Sequence, residues 1–339
     1  ATPVETPDAR VIGLVEEVID MVTRGLLTRR IHRRHSAQSV AVSLASRFVV
    51  KNLVRAWAVR PDLAWPLGSV DRLAGMVPYR QAAQVERFRL GYCVAERIQA
   101  AGVSTQRVIL YLHGGAFLTC GLNTHRSLVT RLSRAADASV LNVDYRMLPA
   151  HRIADAVDDG LSGLRWLLHR GYAPEQIVIA GDSAGGYLAF MTALAAVQSN
   201  LVKPAGIATV SPFTDADPTA KLQHRNARRC AMFPREALMA FTRYLLRARA
   251  ASPMDADLSS LPPVTIHAST DELLLPDAEA MAQRLDTAGV RCDLHLWEGQ
   301  VHDFPLAADV LPEGRRAIHY LGDFVKEVTA PPEPGTAAA

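Results

Sequence analysis

The chain has 339 residues, 49% of them hydrophobic, enough to bury the core of one large domain or of a domain with an appendage. Its 37 basic and 34 acidic residues leave a formal charge of +3, a balance that argues against a nucleic-acid groove or a dedicated acidic partner. The four cysteines (Cys93, Cys120, Cys230 and Cys292) lack CxxC spacing, so neither a metal site nor a disulfide framework is expected, and no apolar run is long enough for a membrane span. With no secretory pattern at the N-terminus, the chain reads as soluble and cytoplasmic, with association to the cell envelope left open.

Apolar residues at Val11, Leu14, Val15, Val18, Ile19, Val22, Leu26 and Leu27 predict a first helix with Glu16, Glu17 and Asp20 facing away. Its basic end (Arg29, Arg30, His32, Arg33, Arg34, His35) suits an anionic membrane surface, but a solvated helix end is the preferred reading. A second helical stretch spans roughly 39–59, and Pro61, Asp62, Pro66 and Gly68 then mark a boundary near 65. Beyond it, short apolar runs at 108–112, 138–143, 176–180, 207–210, 264–268 and 292–297 predict buried strands. Helical patterns at 127–136, 154–170, 184–197, 277–288 and 313–328 alternate with them.

Such alternation predicts an α/β fold, a mostly parallel central sheet flanked by helices, over 66–213 and 261–329. A helical segment is inserted at 214–260, and a Pro/Ala/Gly tail at 330–339 reads as disordered. Met21, Met191 and Met239 sit at core-like spacings. No repeat and no phosphate-cradling glycine loop is present in the sequence.

The sharpest chemical signal is Gly181-Asp182-Ser183-Ala184-Gly185, a GxSxG placed between the apolar run Ile177-Val178-Ile179-Ala180 and an Ala/Leu-rich helix. This context presents a serine on a tight strand-to-helix turn, with glycines two residues before and after it for close packing. A nucleophilic serine needs donors for the developing oxyanion. The N–H groups of Gly114 and Gly115, in His113-Gly114-Gly115-Ala116, are expected to provide them together with that of Ala184.

The base is expected after a late strand, where His302 stands; His295 falls inside a strand and His319 inside a helix, as packing or surface residues. Its acid is expected after the 264–268 strand, where Asp271 and Glu272 compete and spacing alone leaves both open. Asp155, Asp158 and Asp159 read as structural carboxylates.

These motifs, with Asp144-Tyr145-Arg146, Gly186 and Ser211-Pro212, resemble the hormone-sensitive-lipase-like group of α/β hydrolases, which includes bacterial esterases, over about residues 75–328. In that group the acid stands two residues before a leucine and about thirty before the histidine, which favours Glu272 over Asp271. The resemblance implies a helical cap from 1–65 and 214–260, and cofactor-free hydrolysis of small esters with short- to medium-chain acyl groups. A homodimer is left open. Two departures are Ala116 for the third glycine of HGGG, and Met147-Leu148-Pro149-Ala150-His151 for the usual Leu-Ala-Pro-Glu-His. An amidase or deacetylase would use the same triad, and a small-molecule receptor on this fold would have lost the histidine that this chain keeps as His302.

Overall fold

In the computed structural model, the described residues are 26–331 apart from 80, 249 and 250. A nine-stranded sheet organises them, built of β1 (Leu27–His32), β2 (Ala83–Leu90), β3 (Cys93–Ala100), β4 (Val108–Leu112), β5 (Ser139–Asp144), β6 (Ile177–Asp182), β7 (Gly206–Val210), β8 (Val264–Ser269) and β9 (Cys292–Trp297). Their order is β1-β9-β8-β7-β6-β4-β5-β3-β2, parallel except at the β2–β3 and β3–β5 pairs.

The central strands are apolar on both faces because both are covered. Successive side chains point to opposite sides. Leu110, Leu141, Ile179 and Ile266 therefore meet the helices Ile153–His169, Ala184–Gln198 and Leu275–Thr287, while Ile109, Val140, Val178 and Ala208 meet Leu122–Ala136 and Pro312–Val328. This is the mostly parallel, helix-flanked sheet expected from the alternating pattern, with element ends displaced by a few residues.

Three strands escaped the sequence reading. The basic stretch expected to extend the first helix is instead β1, paired in parallel with β9 from Leu27 opposite Cys292 to His32 opposite Trp297. Its four inner residues, Thr28 to Ile31, are exposed, so no apolar alternation announces it. The antiparallel pair β2–β3, joined through Gly91 at φ 57°, closes the other edge. It is disguised by charge: Glu86 and Arg97 face each other as an exposed ion pair at 3.0 Å. The rest of the first expected helix, Met21 included, lies outside the described residues, as does the tail from 332 onward. Met191 packs against the core as expected, but Met239 is 47% exposed on the outer side of its helix and is no core residue.

The stretch expected as one helix at 39–59 is two helices, Ala37–Ala45 and Lys51–Val59, joined by a π-helical turn over Ser46–Val50. The inserted 214–260 segment folds into Thr219–Gln223, Asn226–Arg229 and Arg235–Ala248. These two regions, distant in sequence, pack on each other. Ala58 meets Ala237 and Ala240, Trp57 stacks on Tyr244, and the buried Lys51 ammonium donates to the Cys230 carbonyl at 2.6 Å. Among the described residues no helix is long and apolar enough to cross a membrane.

Candidate active site

Ser183 stands between the last residue of β6 and the first residue of the Ala184–Gln198 helix, at φ 52° and ψ −116°. For a non-glycine residue this backbone costs about 1–3 kcal/mol, which the surrounding packing must hold. Two glycines make the turn feasible. A Cβ on Gly185 would lie 1.9 Å from the Leu112 carbonyl oxygen, and one on Gly181 would lie 2.3 Å from the Gly185 oxygen. The Ser183 N–H is fixed by the Val210 carbonyl at 2.9 Å, and its own carbonyl accepts from the Phe213 N–H at 3.0 Å.

The imidazole of His302 reaches this serine from the loop after β9: Nε2 is 2.9 Å from Ser183 Oγ, while Nδ1 meets Glu272 Oε2 in a short contact. Glu272, on the turn after β8, is buried and further held by the Ser211 hydroxyl (2.9 Å) and the Ser269 N–H (2.7 Å) on Oε1. Asp271 turns away. Its Oδ2 accepts from the Gly299 N–H at 2.8 Å, so it ties down the loop that carries His302 without touching the imidazole. Of the two adjacent carboxylates, Glu272 is therefore the one that meets the imidazole.

Around the glycine loop the geometry departs from expectation. The Gly114 N–H donates to Asp182 Oδ1 at 3.1 Å, so it is not available to an oxyanion. Neither the Gly115 nor the Ala116 N–H meets a protein acceptor among the described residues, and the Ala184 N–H, in the first turn of its helix, has no intrahelical acceptor. Ala116 takes up φ 56° despite its methyl group, and Gly115 takes φ 115°, where a Cβ would lie 2.0 Å from the Thr119 oxygen.

Asp182 itself went unnoticed in the sequence, although it occupies the variable position of the GxSxG. It is buried, and it also accepts from the Tyr111 hydroxyl (2.7 Å) and from His125 Nε2 (3.1 Å), so it fastens the glycine loop to the turn bearing Ser183. Burial opposes its ionisation, but His125 and Tyr111 outweigh that and hold its pKa below the ordinary value. For His125, burial favours the neutral ring, yet Asp182 raises its pKa above the ordinary value. A second tie runs from the Tyr145 hydroxyl to the His113 carbonyl at 2.7 Å.

Burial likewise disfavours a charged His302, but the carboxylates of Asp303 and Glu272 hold its pKa well above the ordinary value. The remaining sequence candidates are structural. Asp159 is a buried partner of Arg146 at 2.9 Å, Asp155 accepts from the Arg152 N–H at the start of its helix, His319 is exposed, and His295 is packed between His267 and His32.

Aromatic side chains roof the site. Phe233 approaches His302 edge-on with centroids 4.8 Å apart, and Phe241 contacts both Phe117 of the glycine loop and Phe213 beside the nucleophile. Ser183 itself is 7% exposed. Below them the buried Lys221–Asp277 ion pair (2.7 Å) secures the strand-to-helix connection, because Asp277 also accepts the Thr214 and Asp215 N–H groups.

The sequence between residues 109 and 306 matches the family model described as alpha/beta hydrolase fold. The chain is 40% identical to the esterase LipU of Mycobacterium tuberculosis, over 80% of this chain and 99% of that one. It is also 40% identical to the carboxylesterase/phospholipase LipF of the same organism, over 87% and 84%. Among solved structures it is similar to EstE5 soaked with p-nitrophenyl butyrate, at 34% identity, a TM-score of 0.75, and 87% and 100% coverage. It is likewise similar to an esterase from the bacterial hormone-sensitive lipase family, at 31% identity, a TM-score of 0.75, and 87% and 99% coverage. The chain therefore belongs to the α/β-hydrolase family, in its bacterial hormone-sensitive-lipase branch.

Proposed function

We propose that this protein is a serine carboxylesterase acting on small esters with short- to medium-chain acyl groups, with Ser183 as nucleophile, His302 as base and Glu272 as the acid that orients it. The observation that carries this reading is the continuous chain of contacts from Ser183 Oγ through both nitrogens of His302 to Glu272.

In this mechanism His302 Nε2 takes the hydroxyl proton as Ser183 Oγ attacks the ester carbonyl, and Glu272 on Nδ1 fixes the ring and stabilises the imidazolium. The oxyanion that forms is met by the N–H groups of Gly115, Ala116 and Ala184. Ala116 replaces Gly114 in this role because the Gly114 N–H is already held by Asp182. The imidazolium then protonates the departing alcohol, and water repeats the sequence on the acyl-enzyme. The helices of 37–59 and 219–248 act as a cap, and the rings of Phe117, Phe213 and Phe241 form an apolar wall suited to an acyl chain of limited length.

The test is p-nitrophenyl ester hydrolysis across acyl lengths, with the matching anilides in parallel. Ser183→Ala is expected to lose on the order of 10⁶ in kcat and Glu272→Gln about 10⁴, while Asp271→Asn stays within a few-fold of wild type. Unchanged turnover in Ser183→Ala would overturn the mechanism, and anilides cleaved faster than esters would move the assignment to an amidase.

A further inference from the structure

The residue after the base is an aspartate whose side chain turns back onto the same imidazole. Asp303 Oδ2 lies 3.0 Å from His302 Nε2, the nitrogen that faces Ser183. The carboxyl group is buried, and among the described residues its other oxygen, Oδ1, meets no hydrogen-bond partner. Its backbone holds it there: Asp303 sits at φ 51°, and its N–H donates at 3.2 Å to the Ser211 hydroxyl, which in turn donates to Glu272 Oε1. The imidazole is thus flanked by a carboxyl group at each nitrogen.

We infer that Asp303 is a positioning residue that retains a proton on the His302 ring and so sets the pH at which this base becomes free to serve Ser183. The inference rests on the hydrolase reading above. When Asp303 is ionised and His302 protonated, the two form an ion pair, and Nε2 has no lone pair to offer the serine hydroxyl. That proton must leave before attack begins. Once it has left, the remaining Asp303 charge stabilises the imidazolium regenerated in each transition state.

The other titratable groups facing the pair do not replace this role. Glu272 lies on Nδ1, while Asp182, on the turn, is itself occupied by Tyr111, His125 and the Gly114 N–H; Cys120 also lies near. Burial, with Asp182 and Glu272 nearby, pushes Asp303 up to about 7 against the pull of His302, in keeping with one proton held between the two groups.

Asparagine and glycine both tolerate the left-handed backbone at this position, so Asp303→Asn and Asp303→Gly are suitable variants. The acidic limb of kcat/KM is expected to move to lower pH by about one unit in both. Well below the limb, each variant then retains about tenfold more of its own plateau rate than wild type does. The alkaline plateau is expected to fall several-fold as the imidazolium loses an anionic neighbour.

Histidine-labelled protein carrying Ser183→Ala supplies a readout independent of turnover. NMR titration should give a lower His302 pKa once Asp303→Asn or Asp303→Gly is added. A lower plateau with an unmoved limb, or an unmoved His302 titration, overturns the inference. Turnover that survives Ser183→Ala overturns the Ser183 mechanism instead, and the titration still decides the role of Asp303.

Discussion

Asp182 offers the most searching test of how this site is held. Its carboxylate receives Tyr111, Gly114 and His125 in a buried setting, and removing one side of a buried charge pair typically costs about 3–5 kcal/mol. Asp182→Ala should therefore lose about 4 kcal/mol in urea unfolding, because three donors are left facing a void. Asp182→Asn should be milder. The amide keeps an acceptor for Tyr111 and Gly114, and its NH₂ can meet a neutral His125 whose proton sits on Nδ1, facing the Gly121 carbonyl at 3.3 Å.

The sign of the pH dependence separates the charge from the hydrogen bonds. Asp182 has a depressed pKa in the folded state, so its contribution is present above the unfolded value of about 4 and is lost as pH falls. His125 has a raised pKa, so its contribution is complete below the unfolded value of about 6.5 and is lost as pH rises through its folded value. The stability gap between wild type and Asp182→Asn should thus be widest between about pH 4 and 6.5 and narrow in alkaline solution. A gap that keeps the same size from about pH 5 into alkaline solution would refute the ion-pair account. Because Asp182 also anchors the glycine loop, Asp182→Ala should lose about 10²-fold in kcat, the scale of one oxyanion donor.

Two further substitutions probe the scaffold. Gly185→Ala places a methyl group 1.9 Å from the Leu112 oxygen, so β4 and the nucleophile turn must separate; loss of soluble folded protein, or of nearly all activity, is expected, and wild-type stability by thermal melting would contradict the packing described. Lys221→Met leaves the buried Asp277 carboxylate without its cation, and unfolding at neutral pH should be easier by about 3–5 kcal/mol. Measured at acid pH, where Asp277 takes up a proton, that penalty should shrink.

The features that were readable in the sequence share a physical reason. Strands such as β4 and β6 are buried on both faces and so appear as mainly apolar runs, and the turn at Ser183 is constrained enough to demand glycine at fixed offsets. Edge strands obey no such rule: β1 carries Thr28, Arg29 and Arg30 on an exposed ribbon, and only its pairing with β9 reveals it. Local spacing could not separate Asp271 from Glu272, since the choice depends on where the Gly299 N–H and the Ser211 hydroxyl lie in space. The glycine loop misled for a related reason. An N–H that looks free in sequence is satisfied by Asp182, 68 residues away. His125 and Tyr111, set in ordinary helical and strand patterns, gave no signal at all.

The short ribbon β1 ties together parts of the molecule that a linear reading keeps apart. It seals the outer edge of β9, the strand whose far end leads into the His302 loop, and the chain then passes through Ser36, held by Glu313, into the Ala37–Ala45 helix, whose Ser39 hydroxyl donates to the Gly299 carbonyl. Trimming the protein ahead of residue 36 would bare a row of unpaired amides on β9, the kind of raw border along which sheets join into insoluble stacks. Shortened versions should therefore fail by clumping before they fail by losing their chemistry, and new entrance helices grafted from a relative would need to bring their own selvedge strand with them.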